Sequence, residues 1–531
     1  MPTDPNAVPG LSRRRFLGTS LKAGAAGLVA GAAGGPLAAL AGGRADAAPE
    51  PIKPLFGRTP ASPPNYRRFI TRPDLRPPGV TVETTSGFPY SSTQPGYIFV
   101  APRVAPGGTL PPGMQPGLLI LDLRGDTVWF QPQTGTGKDP FSFGVQSYQN
   151  NSVLAWFEGT VGDGFAVSGE YVLADTSYKE IARFSASGYP SDLHEVRLAS
   201  HGTALVTAYQ TGVKEGSSTL IVGHAQEIDI ATNSSVWDWP CYPHVPTSAS
   251  YTGTSGDYFH INSLDVWPGD DEPGHRKILI SSRNTGAVYL VDQITNRILW
   301  RVGGKSSKVP SFRLGRGVPF AYQHDARALA DGSGFSLFDD ASAPSPEPYS
   351  SGKVITLDQR NMTATLRHQY FHTDGQLKVG SQGNCQLLPN GGHVVGWGAA
   401  RSFSEFRASG NAMNAEMILD GLFPPGVESY RAYMFDWHAD PPQSELRLVV
   451  KPSGGTGHFT GWVSWNGATR VAAWRMNAGP SSHSMEVITT VAKRSFETAI
   501  NFTRVGAKAF RVAALDSSGR VITRTSVVGA T

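Results

Sequence analysis

Cysteine is nearly absent from this 531-residue chain: Cys241 and Cys385 are the only two. That excludes a disulfide scaffold and a zinc site built from several thiolates. Two readings of the pair stay open, buried small side chains or one bridge between distant structural units. No stretch carries sustained helical periodicity, which counts against alternating α/β architectures. A Gly-x-x-x-x-Gly-Lys-Ser/Thr loop and a Rossmann unit are both missing, so nothing points to a nucleotide. Net charge is also scarce. The formal +4 comes from 46 Lys+Arg against 42 Asp+Glu, and residues 1–47 alone hold Arg13, Arg14, Arg15, Lys22 and Arg44 against Asp4 and Asp46. The remaining 41 basic and 40 acidic residues nearly cancel, so the pI of 8.9 lends no support to nucleic-acid binding.

What is present suits a large globular chain, with 40% hydrophobic and 10% aromatic residues. Gly and Pro, at 61 and 40, are abundant but stay under the roughly 25–30% that marks low complexity. The length is too great for one small domain. The first 47 residues read Ser12-Arg13-Arg14-Arg15-Phe16-Leu17-Gly18, then an Ala/Gly/Leu run, then Ala45-Asp46-Ala47. This layout resembles a twin-arginine export signal, with Gly18 where Lys is usual. The resemblance implies cleavage after Ala47, passage through the twin-arginine translocation machinery, and an extracellular or periplasmic destination. The central run, interrupted by Lys22 and Pro36, makes a poor membrane span, so none is expected after cleavage.

Residues 48–95 are rich in Pro, Arg and Ser and read as an extended arm on a surface. From Gly96 to Pro442 short β-type runs repeat one theme: an apolar strand, an Asp, a polar turn, and a strand often ending in Trp. The copies are Leu118–Asp122 leading to Trp129, Gln226–Asp229 to Trp237, and Val288–Asp292 to Trp300. Val354–Asp358 lacks the Trp, and Ala432–Asp436 reads as a fifth copy. Before each lies an inner strand opened by a polar residue. His194, His260, His324 and Asn384 hold that place at intervals of 66, 64 and 60 residues, with Gln146 in the preceding unit. Such a period predicts an all-β, six-bladed β-propeller, five units being counted and the sixth closed by chain near both termini. Residues 443–531 give about seven short alternating runs, which suits a small C-terminal β-sandwich of immunoglobulin or fibronectin type.

In a propeller, equal positions on successive blades converge on the central channel, so His194, His260 and His324 are the first candidates for chemistry. Their surroundings are Asp192-Leu193-His194-Glu195, Phe259-His260-Ile261-Asn262-Ser263, Ser281-Ser282-Arg283-Asn284-Thr285, Trp300-Arg301-Val302-Gly303-Gly304 and Gln323-His324-Asp325-Ala326-Arg327. In this order they resemble the arylsulfotransferase (ASST) family, in its actinobacterial and fungal branch, from about Pro73 through Trp397 and more weakly to the C-terminus. The resemblance implies transfer of a sulfuryl group from a phenolic sulfate ester to a phenol, with no nucleotide donor and no cofactor or metal. It also implies that His324 is a nucleophile that becomes transiently sulfated. His260 and Asn262 match the family's His-x-Asn pair, Arg283 its sulfate-binding arginine, and His194 its further channel histidine.

These residue types fit such a reaction. Sulfuryl transfer, like phosphoryl transfer, develops charge on non-bridging and leaving oxygens. Neutral imidazole is a competent nucleophile, Arg283 is a permanent planar cation, and Asn262 offers an amide donor. A departing phenolate needs a proton, which His260 or His194 would supply. Structural readings stand beside these: Arg283 paired with Asp257 or Asp265, and Asp325 with Arg327 as a structural pair beside the nucleophile. Two other functions fit the sequence, a metal-dependent propeller hydrolase or lactonase and a noncatalytic secreted binding protein.

Overall fold

The computed structural model describes residues 63–85, 93–105, 107–135, 137–162, 164–305, 308–342, 347–373, 377–407 and 416–531. The export-signal reading of residues 1–47 lies outside them. Within them the protein is all-β, built mainly of four-stranded antiparallel sheets, and no helix is longer than four residues. No helix of the described residues is long and apolar enough to cross a membrane.

Six sheets follow one another along the chain. The first comprises Asp139–Tyr148, Asn151–Gly162, Phe165–Ala174 and Glu180–Phe184, and the second Ser191–Leu198, Thr203–Glu215, Ser218–Asp229 and Ser234–Pro240. The third holds Ile261–Trp267, Lys277–Ser282, Ala287–Asp292 and Ile298–Gly303. The fourth holds His324–Ala328, Gly334–Asp339, Ser351–Asp358 and Thr363–Tyr370, with Arg313–Leu314 added in parallel. The fifth orders Asn384–Leu387, His393–Gly396, Ser402–Phe406 and Met417–Leu422, and Thr81–Thr84 extends its outer edge. The sixth joins Ala432–Phe435 to Tyr97–Val100, Gly117–Leu121 and Thr127–Pro132.

The repeated Asp has a local cause. Asp122, Asp229, Asp292 and Asp358 each accept backbone N–H groups of the turn that follows, as when Asp229 takes Thr232 and Asp292 takes Thr295, both at 2.8 Å. These are Asx-type turns linking the third strand of a sheet to its fourth. The Trp that closes the theme is buried in that fourth strand: Trp129, Trp237 and Trp300 are 4%, 6% and 5% exposed.

Apolar side chains cluster between neighbouring sheets and not in one central core. Phe141, Val153, Leu193 and Val206 join the first sheet to the second, and Leu205, Val222, Leu264 and Ile280 join the second to the third. The pattern repeats through the fourth and fifth sheets and returns through Phe99, Leu118, Leu154 and Trp156, which join the sixth to the first. First strands of successive sheets therefore stand side by side around a closed cycle.

Two expectations change. Ala432–Phe435 is not a third strand of the Asp-ended theme but the first strand of the sixth sheet, because an apolar alternation looks alike in both places. The Pro-rich arm is also more than a surface strap. Leu75, Val80 and Val82 are buried, and Thr81–Thr84 pairs antiparallel with the outer strand of the fifth sheet.

Beyond Pro442, Leu446–Pro452, His458–Trp465 and Glu497–Thr503 form one sheet. A second is made of Glu486–Ala492, Ala473–Gly479, Ala509–Leu515 and Val521–Arg524. Leu448, Val463, Trp474, Met476, Phe502 and Phe510 are shared between them as one cluster. The arm reaches this unit through Glu497, which accepts the backbone N–H of Ile70 at 3.1 Å and the N–H and Oγ1–H of Thr71, each at 2.6 Å. Phe69 packs on Phe496 beside that contact, with ring centroids 4.1 Å apart.

Candidate active site

The first strands of four sheets are irregular where they carry polar side chains. Pairing register shifts between Phe141 and Gly144, Ser191 and Val196, Ile261 and Ser263, and His324 and Arg327. Such bulges re-aim side chains. Ser142, His260, Tyr322 and Asp325 accordingly adopt positive φ of 53°, 56°, 59° and 54°, which non-glycine residues adopt only when their surroundings compensate. Asp257 compensates at His260, accepting its backbone N–H at 3.0 Å.

These backbones bring three histidines from consecutive sheets to one end of the cycle. The rings of His194 and His260 are 4.7 Å apart, and Tyr430, just before the first strand of the sixth sheet, lies 5.8 Å from His194 and 6.3 Å from His324. Tyr209 touches His194 and His260 from the other side, at 6.5 and 6.4 Å. His194 and His324 are buried, and His260 is nearly so.

Each imidazole is held in the same way. Nδ1 meets a carboxylate in every case: Asp192 at 2.6 Å from His194, Asp257 at 2.5 Å from His260, and Asp340 at 2.7 Å from His324. The network fixes the tautomer at His324, because the backbone N–H of Gln382 donates to Nε2 at 3.2 Å. That contact requires a lone pair on Nε2, so the proton sits on Nδ1 and Asp340 accepts it. Burial, reinforced by the charge of Arg283, holds His324 well below the ordinary imidazole range and therefore neutral. His260 is lowered by burial, with Asp257 pulling the other way. Burial likewise pushes the Asp340 carboxyl well up, against the opposing charge of Arg283.

Arg283 follows the second strand of the third sheet, and its backbone N–H donates to the His260 carbonyl at 2.9 Å. The guanidinium stacks on Tyr322, 4.3 Å from the ring centroid, and donates to Asn284 Oδ1 and to the Gly380 carbonyl, both at 3.1 Å. Neither carboxylate considered as its partner takes it. Asp257 is engaged by His260, and Asp265 by Arg197 and the Ala328 amide. Arg283 makes no ion pair among the described residues.

Asn262 is fully buried, and its amide donates to the Gln323 carbonyl at 2.6 Å. It anchors the segment entering His324 with that bond, which uses one of the two N–H groups of the amide anticipated as a donor to a sulfuryl oxygen. Asp325 and Arg327 pair at 2.6 Å in a wider network: Arg327 meets Glu195 at 2.7 Å, and Arg431 lies 3.3 Å from Glu195 and 3.2 Å from Asp325. This layer floors the histidine cluster. A cavity of about 260 Å³ lies against it, lined by Arg197, Asp265, Gln386 and Tyr433 and by none of the three histidines.

On the opposite side, residues 377–383 form a strap. Val379 N–H donates to Ser350 Oγ at 2.8 Å, Gly380 O accepts Arg283, Gln382 N–H covers His324 Nε2, and Gly383 N–H donates to the Tyr430 carbonyl at 3.0 Å. The Gln382 side chain is fastened to Glu428 at 2.9 Å and Arg103 at 3.3 Å.

Reading from sequence missed Asp192, Asp257, Asp340, Tyr209, Tyr430 and the strap. Asp192 and Asp257 stand two and three residues before their histidines, a recurrence visible in the motifs. Asp340 comes from the end of the next strand and Tyr430 from another sheet, so no local signal marks them.

Known proteins place this assembly. Residues 144–417 match the arylsulfotransferase (ASST) family, and the chain belongs to it. It is a family of arylsulfotransferases that work without the nucleotide sulfate donor. No curated protein matches the chain. Among solved structures it is similar to the periplasmic gluconolactonase PpgL of Pseudomonas aeruginosa, at 13% identity and TM-score 0.35, over 77% of this chain and 99% of that one. It is also similar to a hypothetical selenium-binding protein of Sulfolobus tokodaii, at 9% identity and TM-score 0.32, over 82% and 96%.

Proposed function

We propose that the protein is an exported aryl-sulfate sulfotransferase: a six-bladed β-propeller, followed by a β-sandwich, that carries a sulfuryl group from a phenolic sulfate to a phenol through sulfated His324. The six sheets in a closed cycle support the blade count, and the two sheets sharing one cluster after Pro442 support the sandwich. The observation that carries the mechanism is the state of His324, neutral, with Nδ1–H given to Asp340 and the lone pair of Nε2 turned to the Gln382 N–H of the strap, within the field of Arg283 and the other two histidines.

In the first half-reaction Nε2 forms a bond to sulfur while the ester S–O bond breaks, its electron pair leaving with the phenolate oxygen. His260 or His194 gives that oxygen its proton. In the second half the acceptor phenol returns a proton to the same imidazole, and its oxygen bonds to sulfur as the N–S bond breaks. Arg283 holds the non-bridging oxygens, Asp340 balances the positive charge arising on His324, and Asn262 keeps the nucleophile's strand in place. A donor aimed at developing charge contributes about 2.7–4 kcal/mol. Gln382 N–H occupies the direction along which sulfur must approach Nε2, so the strap withdraws when substrate enters.

The test is turnover of p-nitrophenyl sulfate by mature protein with and without phenol, together with the intact mass after donor alone. Acceptor-dependent release, and an added sulfuryl group absent from His324→Ala, are expected. Release that ignores the acceptor and stops with chelator would replace this reading with a metal-dependent hydrolase. No release from any aryl sulfate would leave a binding protein.

A further inference from the structure

Buried tyrosines show which polar groups the fold itself consumes. Tyr171 shares its hydroxyl between the carbonyls of Asp192 and Thr207, Tyr209 gives its own to Ile261 O, Tyr258 to Val245 O and Tyr289 to Thr285 Oγ1, and Tyr370 pairs with His393 Nδ1. Tyr430 differs. It is 2% exposed, and its hydroxyl is the one tyrosine oxygen among the buried described residues with no hydrogen-bond partner. A buried hydroxyl left unmatched costs free energy, so this one calls for a partner that the fold itself does not supply, a water or a ligand.

The position of Tyr430 says what that would be. Its ring stands edge-on to His194 and to His324, packs against Phe141 at 5.7 Å, and lies 5.0 Å from the Arg431 guanidinium. Its carbonyl holds the strap through Gly383, so this residue borders both the nucleophile and the segment that must move away from it. Burial raises its phenol well above the ordinary range, so the hydroxyl remains a donor at any working pH.

We propose that Tyr430 is a further catalytic residue, whose phenolic O–H donates a hydrogen bond to a non-bridging oxygen of the sulfuryl group as that group passes to and from His324 Nε2. This rests on the sulfotransferase reading above. The hydroxyl is a neutral donor complementing the charge of Arg283, and no proton is exchanged with it. Because its partner exists only with substrate present, its removal leaves the resting fold intact.

Tyr430→Phe keeps the ring and deletes only the donor. The experiment compares this variant with the parent protein in melting temperature, in single-turnover sulfation of His324 followed by intact mass, and in steady-state rates with a series of aryl sulfates whose leaving phenols differ in acidity. The expected result is an unchanged or higher melting temperature, a sulfation rate and kcat about a hundredfold lower, a KM within a few-fold, and the same loss for every leaving group. Parent-like rates would overturn the proposal while leaving the sulfotransferase reading intact. A loss that grows as the leaving phenol becomes less acidic would overturn it too, by placing the hydroxyl on the leaving oxygen. A variant that melts several degrees lower would show the hydroxyl to be part of the fold. Absence of sulfation in the parent protein would instead refute the reading on which the proposal rests, and the proposal with it.

Discussion

Asp340→Asn tests the reasoning about the nucleophile most directly, because it keeps the shape of the side chain and removes one charge. In the parent, the carboxylate lies 2.7 Å from His324 Nδ1, and both groups are buried. When Nε2 bonds to sulfur, the imidazole gains positive charge. With an effective dielectric constant of about 20, a full charge at that separation interacts with the carboxylate by about 6 kcal/mol. A transition state with half the charge developed keeps about 3 kcal/mol of this, and at about 1.4 kcal/mol per tenfold the variant should lose roughly a hundredfold in the sulfation step. Asn still accepts Nδ1–H, so KM should move little. The assay is the pre-steady-state burst of p-nitrophenol, recorded with and without acceptor. Its pH dependence is informative as well: burial and the neighbouring Asp339 raise the Asp340 carboxyl, so the parent should lose activity on the acid side at a pH above the ordinary carboxylate range. That limb should vanish in Asp340→Asn. A burst rate within threefold of the parent, or an unchanged acid limb, would refute the role given to this carboxylate.

Two further outcomes concern the fold. Burial lowers His393 to about 3 from the usual 6.5, and its Nδ1 lies 2.8 Å from the Tyr370 hydroxyl. The unfolded chain binds that proton first, so stability falls as pH drops from 6.5 towards 3, by about 2–3 kcal/mol at pH 4.5 for this group; denaturant titrations at several pH values should show a shallower decline in His393→Gln. Glu497→Ala removes the acceptor for Ile70 and Thr71. It should lower stability by about 1–3 kcal/mol and open the segment around residues 66–75 to protease; an unchanged melting temperature and cleavage pattern would exclude a role for the arm in holding the C-terminal unit.

The register of the inner strands was legible because each unit opens on a polar residue in an apolar context, and such a residue is visible in one dimension. His194, His260 and His324 do come together, and Arg283 joins them. The residues that tune them were hidden. Asp340 reaches His324 from the far end of the neighbouring strand, 16 residues on, and Gln382 acts through a backbone N–H that any side chain could accompany. Asn262 was read by its chemistry as a donor to substrate, and its buried bond from one N–H to the Gln323 carbonyl could not be seen in the sequence. Cys241 and Cys385 had two readings, and both are buried free thiols, with burial pushing Cys241 up to about 12.

The sixth sheet takes three of its strands from early in the chain and its first strand, Ala432–Phe435, from late. Tyr430 and Arg431 precede that late strand directly, and they meet histidines that emerge from the ribosome well before them. Closure of the ring and completion of the reaction centre are therefore one event in folding. A nascent or truncated chain ending before residue 430 lacks part of the floor, the anchor of the strap and the last wall of the site, however well its earlier sheets have formed. Such slow, non-local pairing leaves unpaired strand edges exposed until the end. An incomplete molecule would thus both lack its reaction centre and be prone to associate through those edges.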